Sequence, residues 1–213
     1  GHADPLKSVE GFQKAAERLG VKFRINTTAT RIDTYMSSGC RRFNAIETNN
    51  GSIVAGNAML AAGVQTNLLL RDLGVHIPII TPLVSAFQTV PVETSLGPVI
   101  GVANGDLAVR QQIDGRLRFT GGAEQINVNL DLSGEYPAVY PPAASISQVI
   151  SSVSNVLPFV LQTPICRIWG GLLDLTPDAL PILDCVPSID GLYIAAGFSG
   201  HGFGIAPAVG EVM

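Results

Sequence analysis

The chain has 213 residues, of which 46% are hydrophobic and only 14% charged, against about 25% charged in an ordinary soluble domain. This balance excludes a disordered chain, which needs low hydrophobicity and high charge. With 23 glycines and 14 prolines it also excludes a coiled coil. The net charge of −4 offers no basic footprint for nucleic acid or an anionic membrane. Mean hydropathy is +0.34, so a free-standing globule of this size is short of charged surface.

The chain opens at Gly1 without an initiator methionine, which fits processing, a cut piece or an appended Gly-His. No charged segment followed by an apolar run marks a signal peptide. Asp4-Pro5 followed by Leu6, Val9, Phe12, Ala15, Ala16 and Leu19 predicts an amphipathic helix. Asp4 suits its N-cap, Pro5 its first turn and Gly20 its stop. Val21–Ile25 alternates like a strand. Thr28–Tyr35 and Phe43–Thr48 read as two more, and an Asn49-Asn50-Gly51 turn leads into Ser52-Ile53-Val54. Asn57–Ala62 is a short buried strand ending at Gly63, and Thr66–Leu73 a short helix stopped by Gly74. A strand, glycine and helix in that order make an α/β crossover.

From Ile77 to Gly122 the texture changes. Strand-like runs at Val84–Val90, Val99–Val102, Leu107–Gln112 and Leu117–Thr120 are separated by turns such as Asp114-Gly115. They predict an antiparallel sheet and hence a second domain. Pro141-Pro142 opens a helix over Ala143–Leu157 whose apolar face is Ile146, Val149, Ile150, Val153 and Val156. Strands follow at Ile165–Leu173 and Leu192–Ala196, and a helix starts at Ile205.

Cys40, Cys166 and Cys185 are odd in number and widely spaced, which fits reduced thiols in a cytoplasmic protein better than a disulfide framework. Without a C-x-x-C, and with only His2, His76 and His201 to help, no metal site is expected. The most apolar window, 191–209, is broken by five glycines and a proline, so it is read as a buried element and not as a membrane span.

The last strand runs into Gly197-Phe198-Ser199-Gly200-His201-Gly202-Phe203-Gly204. Glycines let backbone approach a ligand closely and take positive φ. A helix N-terminus then aims unpaired N–H groups and positive potential at an electron-rich group. The same glycines equally serve tight helix–sheet packing. The turn is neither G-x-G-x-x-G nor the G-x-S-x-G elbow of a hydrolase.

The segment Ala195 to Phe203, with Ala206-Pro207, resembles the C-terminal signature of the FAD-dependent D-amino-acid oxidase-like family. That family includes glycine and sarcosine oxidases and the opine and proline dehydrogenase β-subunits. Three further segments agree in order. Gly1-His2-Ala3-Asp4-Pro5 resembles its G-x-x-D-P stretch. Ile53–Leu73, through Ala61-Ala62-Gly63, resembles its A-A-G segment. Arg167-x-Trp169-Gly170-Gly171 with Thr176-Pro177-Asp178 and Pro181 resembles its R-x-W-A-G…T-P-D-x-x-P run. Val109-Arg110-Gln111 with Asp114-Gly115 is similar to a strand pair of its substrate domain.

The resemblance implies a mixed α/β fold: a partial FAD-binding Rossmann-like domain plus an antiparallel-sheet substrate domain. The flavin-binding segments are expected at 1–80 and 165–213 and the substrate domain at 81–164. It implies oxidation of an amine or amino acid by hydride transfer to FAD, giving an imine that hydrolyses. Cofactor-binding residues carried over are Gly197, Ser199, Gly200, His201, Gly202 and Phe203; of these Gly200, His201, Gly202 and Phe203 are the implied contacts at the isoalloxazine ring, their N–H groups stabilising negative charge at its N1–C2=O locus. Ala29 lies where the adenine is met, and Ala62 and Gly63 near the ADP moiety. Ala29 and Ala62 are equally read as core alanines.

His201 is read as a ring-facing or structural histidine before a catalytic base, and no catalytic residue is assigned. Trp169 is expected beneath the domain junction. Arg167 either pairs with a substrate carboxylate or braces its strand. In the glycine-oxidase-like branch an arginine two residues past the W-A-G glycine clamps the substrate carboxylate. Leu173 stands there, followed by Asp174, which is closer to the sarcosine, opine and proline dehydrogenase branch. Arg110 is the substitute anion-binding candidate.

The family opens on a G-x-G-x-x-G turn for the FAD pyrophosphate, and these 213 residues hold none. The chain is therefore expected to carry the C-terminal part of the family pattern and to bind FAD weakly or not at all by itself. The alternative is a truncated, non-catalytic product kept as an interaction or relic module. A homo-oligomer such as a dimer, or a partner supplying the N-terminal half, is expected to cover the surplus apolar surface.

Overall fold

A computed structural model of the chain describes residues 3–93, 96–102, 107–127, 130–131 and 138–213. In chain order the elements are α1 (Pro5–Arg18), β1 (Ala29–Ser37), β2 (Cys40–Thr48), β3 (Gly51–Val54), β4 (Ala58–Leu60), α2 (Thr66–Leu70), β5 (Leu83–Pro91), β6 (Ile100–Gly101), β7 (Leu107–Gln111), β8 (Arg116–Glu124), α3 (Ala143–Ser154), β9 (Ile165–Leu172), β10 (Ile182–Cys185), β11 (Leu192–Ala196) and α4 (Gly202–Val212). Among the described residues the fold is mixed α/β, with two antiparallel sheets, one mixed sheet and four α-helices.

Local chemistry explains where α1 and the first hairpin begin and end. The Asp4 carboxylate accepts from the Lys7 N–H at 3.1 Å, and Pro5 occupies the first turn. At the other end Gly20 takes φ +91°, and the Val21 N–H reaches back to Ala16 O. That six-to-one bond is a Schellman stop. Ser38 and Gly39 both have positive φ, the two-residue turn whose twist suits an antiparallel pair, and Ser37 pairs with Cys40 across it.

Two compact units divide the chain. The first uses residues 3–80, 130–131 and 174–213. It holds an antiparallel β1-β2-β3 sheet and a three-stranded sheet in the order β10-β11-β4, with β11 parallel to β4 and antiparallel to β10. Its core gathers Ile32, Phe43, Leu60, Leu70, Leu192 and Ile194 with their neighbours. In this unit α1 and α4 contain no buried residue. Leu6, Val9 and Phe12, the apolar stripe of α1, are each more than 60% exposed.

The second unit uses 81–127 and 138–173 and is a five-stranded antiparallel sheet in the order β6-β7-β8-β5-β9. Phe87 and Phe119 stack at 4.6 Å on one face, and Val149 and Val153 of α3 pack over them. Gly121 makes this possible: a β-carbon there would stand 2.5 Å from Val149 Cγ2.

Several expectations shift. Val21–Ile25 forms no strand and is exposed throughout, because alternation without a neighbour to bond is not a sheet. β9 pairs with β5 along Leu83–Thr89, so residues 165–173 lie in the five-stranded unit and the other unit resumes at Asp174. α3 ends at Ser154, and α4 starts three residues before Ile205. Strand β10 has no counterpart in the sequence reading. Gly1 and His2, the start of the G-x-x-D-P stretch, fall outside the described residues.

Candidate functional site

The glycine-rich turn joins β11 to α4. Three of its residues take left-handed backbone: Gly197 at φ +71°, Ser199 at +53° and Gly200 at +84°. The turn is braced from one side by Asp174–Thr176. The Asp174 carboxylate accepts the Gly197 N–H at 2.8 Å, and its carbonyl accepts the Ser199 N–H at 3.1 Å. The Ser199 hydroxyl, buried, accepts from the Thr176 N–H and directs its one proton to Gly197 O or to the Thr176 hydroxyl, each 3.1 Å away. The Thr176 hydroxyl also donates to Leu180 O at 2.8 Å.

These bonds divide the expected cofactor residues into two sets. Gly197 and Ser199 spend their polar groups inside the brace, and a β-carbon on Gly197 would collide with Thr176 Cγ2. Their role is to hold the turn. Past the brace, the N–H groups of Gly200, Gly202 and Phe203 find no acceptor among the described residues. The first turn of α4 carries no acidic side chain, so the positive end of the helix is uncompensated. His201 is exposed at the N-cap, and Phe203 is 55% exposed.

Donors of this kind suit a planar group with electron-rich edge atoms, which is what an isoalloxazine ring presents. The residues present therefore fit the electron-rich edge of the FAD ring through the N–H groups of Gly200, Gly202 and Phe203, whereas the His201 N–H is spent on Phe198 O at 2.8 Å. The remaining expected contacts lie in the same unit. Ala29 and Ala62 are half-buried against its core, and Gly63 holds φ +52° with open space where a β-carbon would go.

The five-stranded unit holds the expected anion-binding residues. Register places Arg110 of β7 opposite Arg118 of β8, Arg118 opposite Gln88 of β5, and Gln88 opposite Arg167 of β9. Directly opposed residues of an antiparallel sheet share a face, so the three arginines form one row across four strands. The next row on that face is Ala108, Thr120, Ala86 and Trp169. The guanidinium groups of Arg118 and Arg167 lie 5.0 and 5.2 Å from the Trp169 ring. Among the described residues none of the three arginines has an ion-pair partner. Burial, and then the Arg110 and Arg167 charges beside it, push Arg118 below its ordinary value.

Arg110 and Arg167 are thus brought together, and Arg118, which the sequence reading passed over, sits between them. Its signal was the alternation of Arg116, Arg118 and Thr120 in a strand whose other face is Leu117 and Phe119. Along β9, position 173 lies six residues beyond Arg167, about 20 Å away at strand spacing.

The sequence matches the family described as DAO, FAD dependent oxidoreductase, over residues 1–213. It is 27% identical over 204 residues to the sarcosine oxidase subunit beta of Rhizobium meliloti, covering 94% of this chain and 45% of that protein. It is 28% identical over 212 residues to the D-amino acid dehydrogenase of Paramagnetospirillum magneticum, covering 99% of this chain and 47% of that protein. The crystal structure of L-proline dehydrogenase from P. horikoshii is similar with a TM-score of 0.81 at 26% identity, over 98% of this chain and 54% of that one. The chain spans about half the length of the curated relatives it matches. A match along the whole chain shows that the protein belongs to the FAD dependent oxidoreductase (DAO) family.

Proposed function

We propose that this chain forms the ring-facing turn and the substrate sheet of a flavoprotein that oxidises an amine or amino acid. The observation that carries the reading is the braced turn with three unspent N–H groups at the start of α4. When bound, FAD supplies a hydride acceptor for the carbon beside the substrate nitrogen. The chain supplies fixed dipoles. The N–H groups of Gly200, Gly202 and Phe203 are held before the reaction by Asp174 and Thr176, so they need no reorganisation as negative charge develops. Arg110 and Arg167 add positive potential that draws carboxylates toward the sheet face.

The 213 residues contain no G-x-G-x-x-G turn for the FAD pyrophosphate, so the chain alone is expected to bind FAD weakly. Titrating the purified chain with FAD while following flavin fluorescence tests the reading. The expected result is saturable quenching that weakens about tenfold or more in Gly202→Val, with an unchanged circular dichroism spectrum. A folded chain that never quenches flavin overturns it in favour of a product that keeps the fold without the cofactor.

A further inference from the structure

The arginine row is unusual in its composition. The five-stranded unit has four basic residues, all arginine, and three of them are Arg110, Arg118 and Arg167. The fourth, Arg116, is engaged by Asp114. Arg118 is pushed down first by burial and then by the like charges of Arg110 on the adjacent strand and Arg167 two strands away. A sheet built only for stability would place an acid in the row or separate the cations. Here the central uncharged position, Gln88, donates to Gln112 at 3.0 Å, another neutral group.

The row is also pre-organised. Trp169 holds two of the guanidinium groups against its ring, which limits the side-chain freedom an anion would otherwise have to freeze. Arginine presents a planar fork that matches the oxygen pairs of phosphate and carboxylate, and a lysine row would not. Three unpartnered forks exceed what one monoanionic carboxylate can engage.

We infer that Arg110, Arg118 and Arg167 form a binding site for a small oxyanion carrying two or more negative charges, borne by phosphoryl or carboxylate groups. The site lies along the sheet from position 173, and it stands whether or not the chain binds flavin. An anion there engages Arg118 from the open face and offsets its repulsion with Arg110 and Arg167. The charge alone does not distinguish a phosphoryl compound from a dicarboxylate.

Trp169 is the only tryptophan of the chain and touches the site, so its fluorescence reports occupancy. The chain is titrated with pyrophosphate in one arm and malonate in another, with sodium chloride matched for ionic strength. The expected result is a saturable change with at least one of the two and none with chloride. Affinity falls about tenfold or more in Arg118→Gln. Arg118 also contacts Trp169, so Arg110→Gln, which is not stacked on the ring, is the decisive variant and loses affinity similarly. Arg24→Gln, in the other unit, leaves affinity unchanged. The arm that responds identifies the oxyanion. No saturable change in either arm, a response that chloride reproduces, or full affinity in Arg110→Gln overturns the site. Binding of polyglutamate with no response to either small anion overturns it in favour of an acidic protein surface.

Discussion

Gly197 is where backbone conformation and packing both oppose a side chain. At φ +71° a β-carbon would collide with Thr176 Cγ2 and lie 3.4 Å from Ile79 Cγ2. Thr176 cannot swing aside, since it is 3% exposed and its hydroxyl is bonded to Leu180 O and Ser199. Left-handed backbone costs a non-glycine residue about 1–2 kcal/mol. Overpacking a filled site adds a further 1–3, so Gly197→Ala is expected to lose roughly 2–5 kcal/mol. Gly63 provides the comparison, because it is left-handed at φ +52° with nothing within 4 Å of a β-carbon. Gly63→Ala should lose only the conformational part, about 1–2 kcal/mol. Urea denaturation followed by circular dichroism measures both, the midpoint falling with the slope unchanged. If Gly197→Ala costs no more than Gly63→Ala, the brace is not packed as described.

Ser199→Ala strips a buried hydroxyl from Thr176 and leaves the Thr176 N–H unsatisfied, an expected loss of about 1–3 kcal/mol in the same denaturation assay. Phe12→Ser should change stability by less than about 0.5 kcal/mol, because the apolar stripe of α1 is buried against nothing in the described chain; a larger loss would mean that the helix packs. The Asp114 carboxyl is held below the usual carboxylate range, chiefly by the backbone N–H of Arg116 and then by its side chain. Its contribution is present above the ordinary value and lost as pH falls through the lowered one. An NMR titration should find its midpoint below that of an ordinary aspartate carboxyl, and Asp114→Asn should remove that step.

The strands and helices with strong local signals were legible in the amino-acid order. Asp4-Pro5 and Gly20 bound α1 because caps are local chemistry. The β7–β8 hairpin announced itself through Asp114-Gly115, and the glycine-rich turn through its motif. What stayed hidden depends on partners distant in the chain. Val21–Ile25 alternates as well as any strand, but only an adjacent edge could have made it one. Strand β10, four residues long, exists because β11 accepts it ten residues later. The site shows the same division. Gly200 to Phe203 could be named from sequence, whereas the commitment of Ser199 to Thr176 required the fold. Arg118 was visible as a residue but not as the middle of a row, since register joins four strands and no single segment contains it.

The parallel pairing of β4 with β11 also governs how the molecule can be made. Leu60 must wait for Ile194, about 130 positions later. At ribosomal speeds of about 5–20 residues per second that delay is roughly 7–27 seconds. Every strand of the five-stranded sheet emerges within the interval, so an inserted unit can finish folding while its host is still half-synthesised. Until residue 192 appears, β4 lacks β11, its one neighbour among the described strands, and an unpaired strand edge invites other chains. A nascent chain stalled before that point is expected to be soluble in its middle and adhesive at its beginning, an order of risk that limited proteolysis of ribosome-bound intermediates would expose.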